Sequence, residues 1–195
     1  MRLVPDTIHV ALIVAKALEA CRVRYLVGGS LASAVSGEPR STLDVDLVVE
    51  LTDKDVEPFA ATLGDRFHVD ADSLRRAVRE RSSTNVIHHA TSTKVDLFML
   101  GVSAFDREQM DRRQRVQLSH DPDAWLYIYT PEDILLQKLA WYRMGNEVSD
   151  RQWRDVMGII LAQEGRLDRT YLQHGAEVRG VSDLLQRALS QAQND

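Results

Sequence analysis

Leu26-Val-Gly-Gly-Ser30-Leu-Ala-Ser-Ala-Val-Ser-Gly-Glu-Pro-Arg40-Ser-Thr-Leu-Asp-Val-Asp46-Leu-Val-Val49 is the stretch that decides how this chain is read. A short strand, Arg24 to Val27, runs into Gly28-Gly29-Ser30; Leu31 to Ser36 then reads as a short helix closed by Gly37. Glycine in such a turn lets the backbone approach a ligand closely, and the N-terminus of the helix points N–H groups outward. That arrangement suits an anion such as the phosphates of a nucleotide, and Ser30 adds a hydroxyl. Gly-Gly-Ser is also an ordinary strand-to-helix turn. Downstream, Thr42 to Leu51 alternates: Leu43, Val45, Leu47, Val49 and Leu51 share one face, with Asp44, Asp46, Val48 and Glu50 on the other. Two carboxylates at i and i+2 on a strand point the same way, about 6.6 Å apart along the backbone. Their oxygens can converge on divalent cations, which prefer hard oxygen ligands, and paired ions ~3.5–4 Å apart lie within their reach. The competing reading is the solvated face of an edge strand.

Working outward, a third carboxylate, Asp96, lies in the apolar run Lys94-Val-Asp-Leu-Phe-Met-Leu100. An unpaired charge in such a strand is costly; a metal ion would offset it, as would a neighbouring arginine. The spacing predicts a hairpin of Thr84 to Ala90 with Lys94 to Leu100, turning at Thr91-Ser92, and a strand over Trp125 to Tyr129. Other predicted elements are a strand over Arg66 to Val69 and helices from about Asp6, the expected N-cap, and over Asp53 to Leu63, Asp72 to Arg81 and Ala104 to Arg113. Beyond residue 130 the pattern is helical. Thr130 and Pro131 open a helix to about Met144, Ser149 and Gln152 form a capping-box pattern before a helix to about Gln163, and two more cover Leu167 to Glu177 and Ser182 to Ala192. On the Pro131 helix, Lys138 falls within the apolar arc of Ile134, Leu135, Leu139, Trp141 and Tyr142. A lysine there must snorkel or meet an anion: a bound phosphate, or an acid such as Asp150 or Asp155.

Taken together, these residues resemble the nucleotidyltransferase superfamily of DNA polymerase β. Its pattern is an apolar strand, Gly-Gly or Gly-Ser, a short helix, Asp-x-Asp in an apolar strand, and a third acid on a later strand. Here that pattern is Gly29-Ser30, Asp44-Val-Asp46 and Asp96. Pro39-Arg-Ser-Thr-Leu-Asp-Val-Asp46, Thr130-Pro-Glu-Asp133, Lys138 and Asp155 look like the AbiEii-like toxin nucleotidyltransferases and their relatives. The resemblance covers residues 24 to about 160. It implies an α/β fold: a nucleotidyltransferase-type mixed sheet flanked by helices over residues 1–129, with a C-terminal helical part, residues 130–195, packed on it. It further implies transfer of a nucleoside monophosphate (NMP) from an NTP to an acceptor hydroxyl. Asp44, Asp46 and Asp96 would be the catalytic acids holding Mg2+ or Mn2+, with Gly28, Gly29, Ser30, Arg40, Lys138 and Asp155 at the nucleotide. The acceptor would be RNA or tRNA in a toxin-like enzyme with a cognate antitoxin, or a small molecule in an antibiotic adenylyltransferase. A non-catalytic nucleotide- or partner-binding module with the same fold is the remaining alternative.

Composition sets the outer bounds. A chain of 195 residues, 44% hydrophobic and 27% charged, can bury roughly 70% of its unfolded surface, as one domain or as one domain plus a helical extension. Cys21 is the only cysteine, which excludes a disulfide framework and reads as cytoplasmic. No apolar run approaches the ~20 residues of a membrane span. The net charge of −5 requires any polyanionic acceptor to find a local basic patch. Arg75, Arg76, Arg79 and Arg81 cluster on one predicted helix, and Arg107, Arg112, Arg113 and Arg115 on and just after another; solvated faces are the alternative. His88 and His89 point to opposite faces of a strand, so they cannot share a metal.

Overall fold

A computed structural model describes residues 6–37, 44–117 and 124–193. They divide into two compact units. The first runs to Leu31 and resumes before the Asp-x-Asp strand, ending at Ile128; the second holds the remainder of the Gly29 helix and everything from Tyr129 onward. Arg40 and the residues on either side of it lie outside the described residues, as does the side chain of Asp6.

The first unit is built on a seven-stranded mixed sheet. In chain order its elements are α1 (Asp6–Ala20), β1 (Tyr25–Val27), the start of α2 (Gly29–Ser36), β2 (Val45–Val49), α3 (Val56–Leu63), β3 (Phe67–Val69), α4 (Ala71–Glu80), β4 (Ser83–His88), β5 (Thr93–Met99), α5 (Ala104–Arg112), β6 (Gln114–Gln117) and β7 (Trp125–Ile128). The strand order is β3-β4-β5-β2-β1-β7-β6. β2 therefore lies near the centre of the sheet, antiparallel to β1 and parallel to β5. This rules out the edge-strand reading of Asp44 and Asp46.

The alternation in β2 and β5 does what a period of two requires. Val45, Leu47 and Val49, with Val95, Leu97 and Met99, enter a core shared with Val10, Val14 and Leu18 of α1 and Phe59 and Leu63 of α3. Each fully buried aliphatic side chain contributes roughly 1.5–3 kcal/mol. The opposite face keeps Asp46 on β2 and Lys94 and Asp96 on β5. Asp70 caps α4 by accepting from the N–H groups of Asp72 and Ser73, and Ser103 and Asp106 form a reciprocal capping box on α5.

Several boundaries differ from the sequence expectation. The predicted Asp53 helix starts as a 3-10 turn, Asp53–Asp55, with its own Thr52–Asp55 capping box. A second 3-10 turn, Gly64–Arg66, delays β3 to Phe67. β6 has no counterpart in the sequence reading, because Gln114-Arg-Val-Gln117 holds one apolar residue and no alternation. It forms by pairing antiparallel with β7, with Arg113 and Arg115 stacked 4.7 Å from the ring centres of Tyr127 and Trp125.

The second unit is helical: the rest of α2, α6 (Pro131–Met144), α7 (Asp150–Ala162), α8 (Arg169–Arg179) and α9 (Ser182–Ala192). Thr130 caps α6 by accepting from the N–H of Asp133 and donating to its carboxylate, with Pro131 at the first position. Ser149 caps α7 by accepting from the N–H of Gln152, but the Gln152 side-chain oxygen makes no hydrogen bond, so the capping box is half formed. α8 starts two residues later than its periodicity suggests because Asp168 caps it. The Asp168 N–H in turn donates to Glu132 Oε1 of α6 at 2.9 Å, and the Tyr171 hydroxyl donates to buried Asp133 at 2.6 Å. Gly37 closes α2 against α7: an added Cβ would lie 2.9 Å from the Ile159 nitrogen.

Candidate active site

β1 delivers the chain to the Gly28-Gly29 turn at the middle of the sheet, beside β2. The Gly28 N–H donates to the Asp46 carbonyl at 2.9 Å, which fixes the turn to the strand. Gly29 has φ +57°, in the left-handed region that glycine reaches without cost. A side chain there would have to displace Asp46, because an ideal Cβ would lie 1.7 Å from Asp46 Oδ2. Here the close approach predicted for the glycine turn is made by the Asp46 carboxylate. Ser30 follows at the start of α2 and is buried.

β5 supplies the third acid. Asp46 and Asp96 are direct partners in the parallel register, so both carboxylates leave the same face of adjacent strands. Asp44, one residue before β2 begins, is exposed at the end of that row. Asp96 has a partner of a kind the sequence reading did not weigh. Lys94, two residues earlier on the same strand, donates from Nζ to Asp96 Oδ2 at 2.8 Å. That hydrogen bond holds the Lys94 ammonium above the ordinary lysine pKa, with smaller contributions from the charges of Asp44 and Asp46. The signal available in the sequence was the i, i+2 spacing of Lys94 and Asp96, which puts both on one strand face.

The donor set suits a hard divalent cation: three aspartates on one face, with the glycine turn yielding its side-chain space to one of them. The acids are not preassembled, however. Among the described residues, no three His, Cys, Asp or Glu side chains are gathered to hold a metal ion. Asp96 instead turns an oxygen to Lys94.

The remaining predicted residues belong to the second unit. Lys138 is 2% exposed and donates from Nζ to Asp155 Oδ2 at 2.7 Å, joining α6 to α7. Of the two anions weighed for Lys138, the fold brings it the acid, and the Asp155 side chain is buried rather than on the surface. Arg75 on α4 pairs with Glu57 and Asp72, and the Arg81 guanidinium donates to the Leu100 carbonyl. Arg107 and Arg113 likewise donate to the carbonyls of Val102 and Met110. Arg76 donates to the Ser73 hydroxyl and Arg115 stacks on Trp125, so most of the arginines considered for a polyanion are engaged within the fold. His88 is a core histidine, bonded to the Thr91 hydroxyl and packed on Phe67.

Among solved structures, the chain is similar to an antigenic nucleotidyltransferase-like protein from Paracoccidioides brasiliensis, with 18% identity and a TM-score of 0.52 over 96% of this chain and 94% of that one. It is also similar to the lincomycin-bound lincosamide antibiotic adenylyltransferase LnuA, with 13% identity and a TM-score of 0.50 over 80% of this chain and 96% of that one. No protein-family model matches the chain, and no curated protein does. The chain therefore has the α/β fold of nucleotidyltransferases, a mixed seven-stranded sheet with flanking helices. No described helix is long and apolar enough to cross a membrane.

Proposed function

We propose that the protein transfers a nucleoside monophosphate from an NTP to an acceptor hydroxyl, with Asp44, Asp46 and Asp96 holding Mg2+ or Mn2+. The observation that carries this reading is the Asp46–Asp96 register on central strands, with the Asp46 carboxylate seated where a side chain at residue 29 would lie. In the reaction the acceptor hydroxyl gives up its proton to solvent, its oxygen bonds to the α-phosphorus, the bond from that phosphorus to the bridging oxygen breaks, and pyrophosphate leaves. The positive end of α2 at Gly29-Ser30 favours the negatively charged phosphates. A divalent cation held by the three acids supplies charge stabilisation for the phosphate oxygens. Gly28, Arg40, Lys138 and Asp155 remain nucleotide contacts on the strength of the sequence resemblance.

An RNA acceptor and a toxin role with a cognate antitoxin rest on that resemblance too. A small-molecule acceptor is the second reading. It is favoured by the engagement of Arg75 with Glu57 and Asp72, which partly offsets the positive charge of the α4 cluster. The test is incubation with each labelled NTP and Mg2+ or Mn2+, in parallel with total RNA and with a panel of lincosamide and aminoglycoside compounds. Label should appear with the intact chain and vanish with Asp46→Asn; label that survives Asp46→Asn rejects the assigned site.

A further inference from the structure

Lys94 is one of only four lysines in the chain, beside 20 arginines, and it stands in the row of acids. The strand that buries Val95, Leu97 and Met99 places Lys94 and Asp96 side by side on the opposite face. Its Nζ takes the Asp96 oxygen at 2.8 Å. Asp46 is the register partner of Asp96 on the adjacent strand, so the ammonium that holds Asp96 stands beside a second acid of the row. The Lys94 side chain is 50% exposed, and that of Asp96 is 21% exposed. A pair with so much solvent around its ammonium is weak and can open without stranding a buried charge.

We propose that Lys94 is a built-in counter-ion of the aspartate row: its ammonium holds Asp96 Oδ2 in the metal-free protein and competes with a metal ion for that carboxylate. The proposal rests on the reading of the three acids as a metal site. It also accounts for the finding that three acids on one face are not gathered into a cluster. Metal binding then exchanges one cation for another. Affinity for the free ion is lowered although no ligand is missing.

The test is Mn2+ binding to the full chain without nucleotide, followed by electron paramagnetic resonance and calorimetry. Lys94→Met should bind Mn2+ about tenfold more tightly than the unaltered chain, the effect of removing one positive charge a few ångströms from the ion in a solvated site. Lys94→Arg, which keeps the charge, should stay close to the unaltered protein. Without metal, Lys94→Met should melt at a lower temperature, because the acids lose their counter-ion, and Mn2+ should restore the loss. If methionine prevents folding, Lys94→Gln removes the same charge. Unchanged Mn2+ affinity in the charge-removed variants, with affinity lost in Asp46→Asn, overturns the role of Lys94 and leaves the metal site standing. Failure of both the unaltered and the charge-removed chain to bind Mn2+ overturns the metal site and this proposal together. Unchanged Mn2+ affinity with weakened NTP binding also overturns it, and assigns Lys94 to the phosphates.

Discussion

At the residue scale the site turns on Asp46, whose carbonyl anchors Gly28 and whose carboxylate fills the space over Gly29. Asp44→Asn and Asp46→Asn should lose NMP transfer almost completely while the fold survives. Relief of repulsion among neighbouring acids should hold or raise the metal-free melting temperature. Gly29→Ala separates two effects. The φ of +57° costs a Cβ-bearing residue about 1–2 kcal/mol, to be read by urea unfolding. The new Cβ also pushes the Asp46 carboxylate from its seat, so transfer should fall well beyond what the stability loss explains. Lys138 makes a contrasting case. Its 2% exposure and 2.7 Å bond to Asp155 make it a buried ion pair joining α6 to α7. Lys138→Met takes the paired ammonium from a buried carboxylate and should destabilise the chain by about 3–5 kcal/mol, whereas Lys138→Met with Asp155→Leu should recover much of that loss. Equal stability of the single variant and the parent would refute the structural part of its role. NTP affinity measured on the folded double variant tests the nucleotide part.

At the element scale, the helices begin where capping chemistry says they should: Asp70, Ser103, Thr130, Ser149 and Asp168 each accept a backbone N–H at a helix start. α4 carries the arginines that the proposed RNA acceptor would meet. Its arginines share a face by i, i+4 spacing, but Arg75 also pairs with Glu57 on α3 and with Asp72, two exposed acids whose charge partly offsets its own. In a reaction with RNA, transfer should weaken as salt rises. The Arg75→Ala, Arg76→Ala, Arg79→Ala variant should flatten the slope of log rate against log salt by about one to two units, since Arg75 has less charge to lend. A slope identical to that of the parent across a sodium chloride series takes α4 out of the acceptor site.

At the scale of the whole molecule, stability should respond to acid with a definite sign. Hydrogen bonding to Arg24 lowers the pKa of Glu50, the Ser73 hydroxyl and N–H lower that of Asp70, and Arg143 lowers that of Asp183. In each case the folded-state value lies below the unfolded one, so the unfolded chain takes up protons first. This stabilisation is complete above the ordinary carboxylate range near pH ~4 and is lost as pH falls through the depressed values. Melting temperature should therefore drop between about pH 5 and pH 3, less steeply in Glu50→Gln. The sequence by itself determined the elements with strong local signals. A period of two wrote β2 and β5, caps and a 3.6 period wrote α6 to α9, and two glycines before a short helix marked the turn. Tertiary structure decided what depends on neighbours distant in sequence. β2 lies at the centre of the sheet, β6 is a strand because β7 lends it hydrogen bonds, and Asp46 faces Asp96 across fifty residues of chain. That Asp155 is the acid paired with Lys138 was likewise decided only when α7 carried it there. Hydrogen-bond pairing and charge pairing act between surfaces that only the folded chain brings together, and a linear pattern carries no record of which surfaces those are.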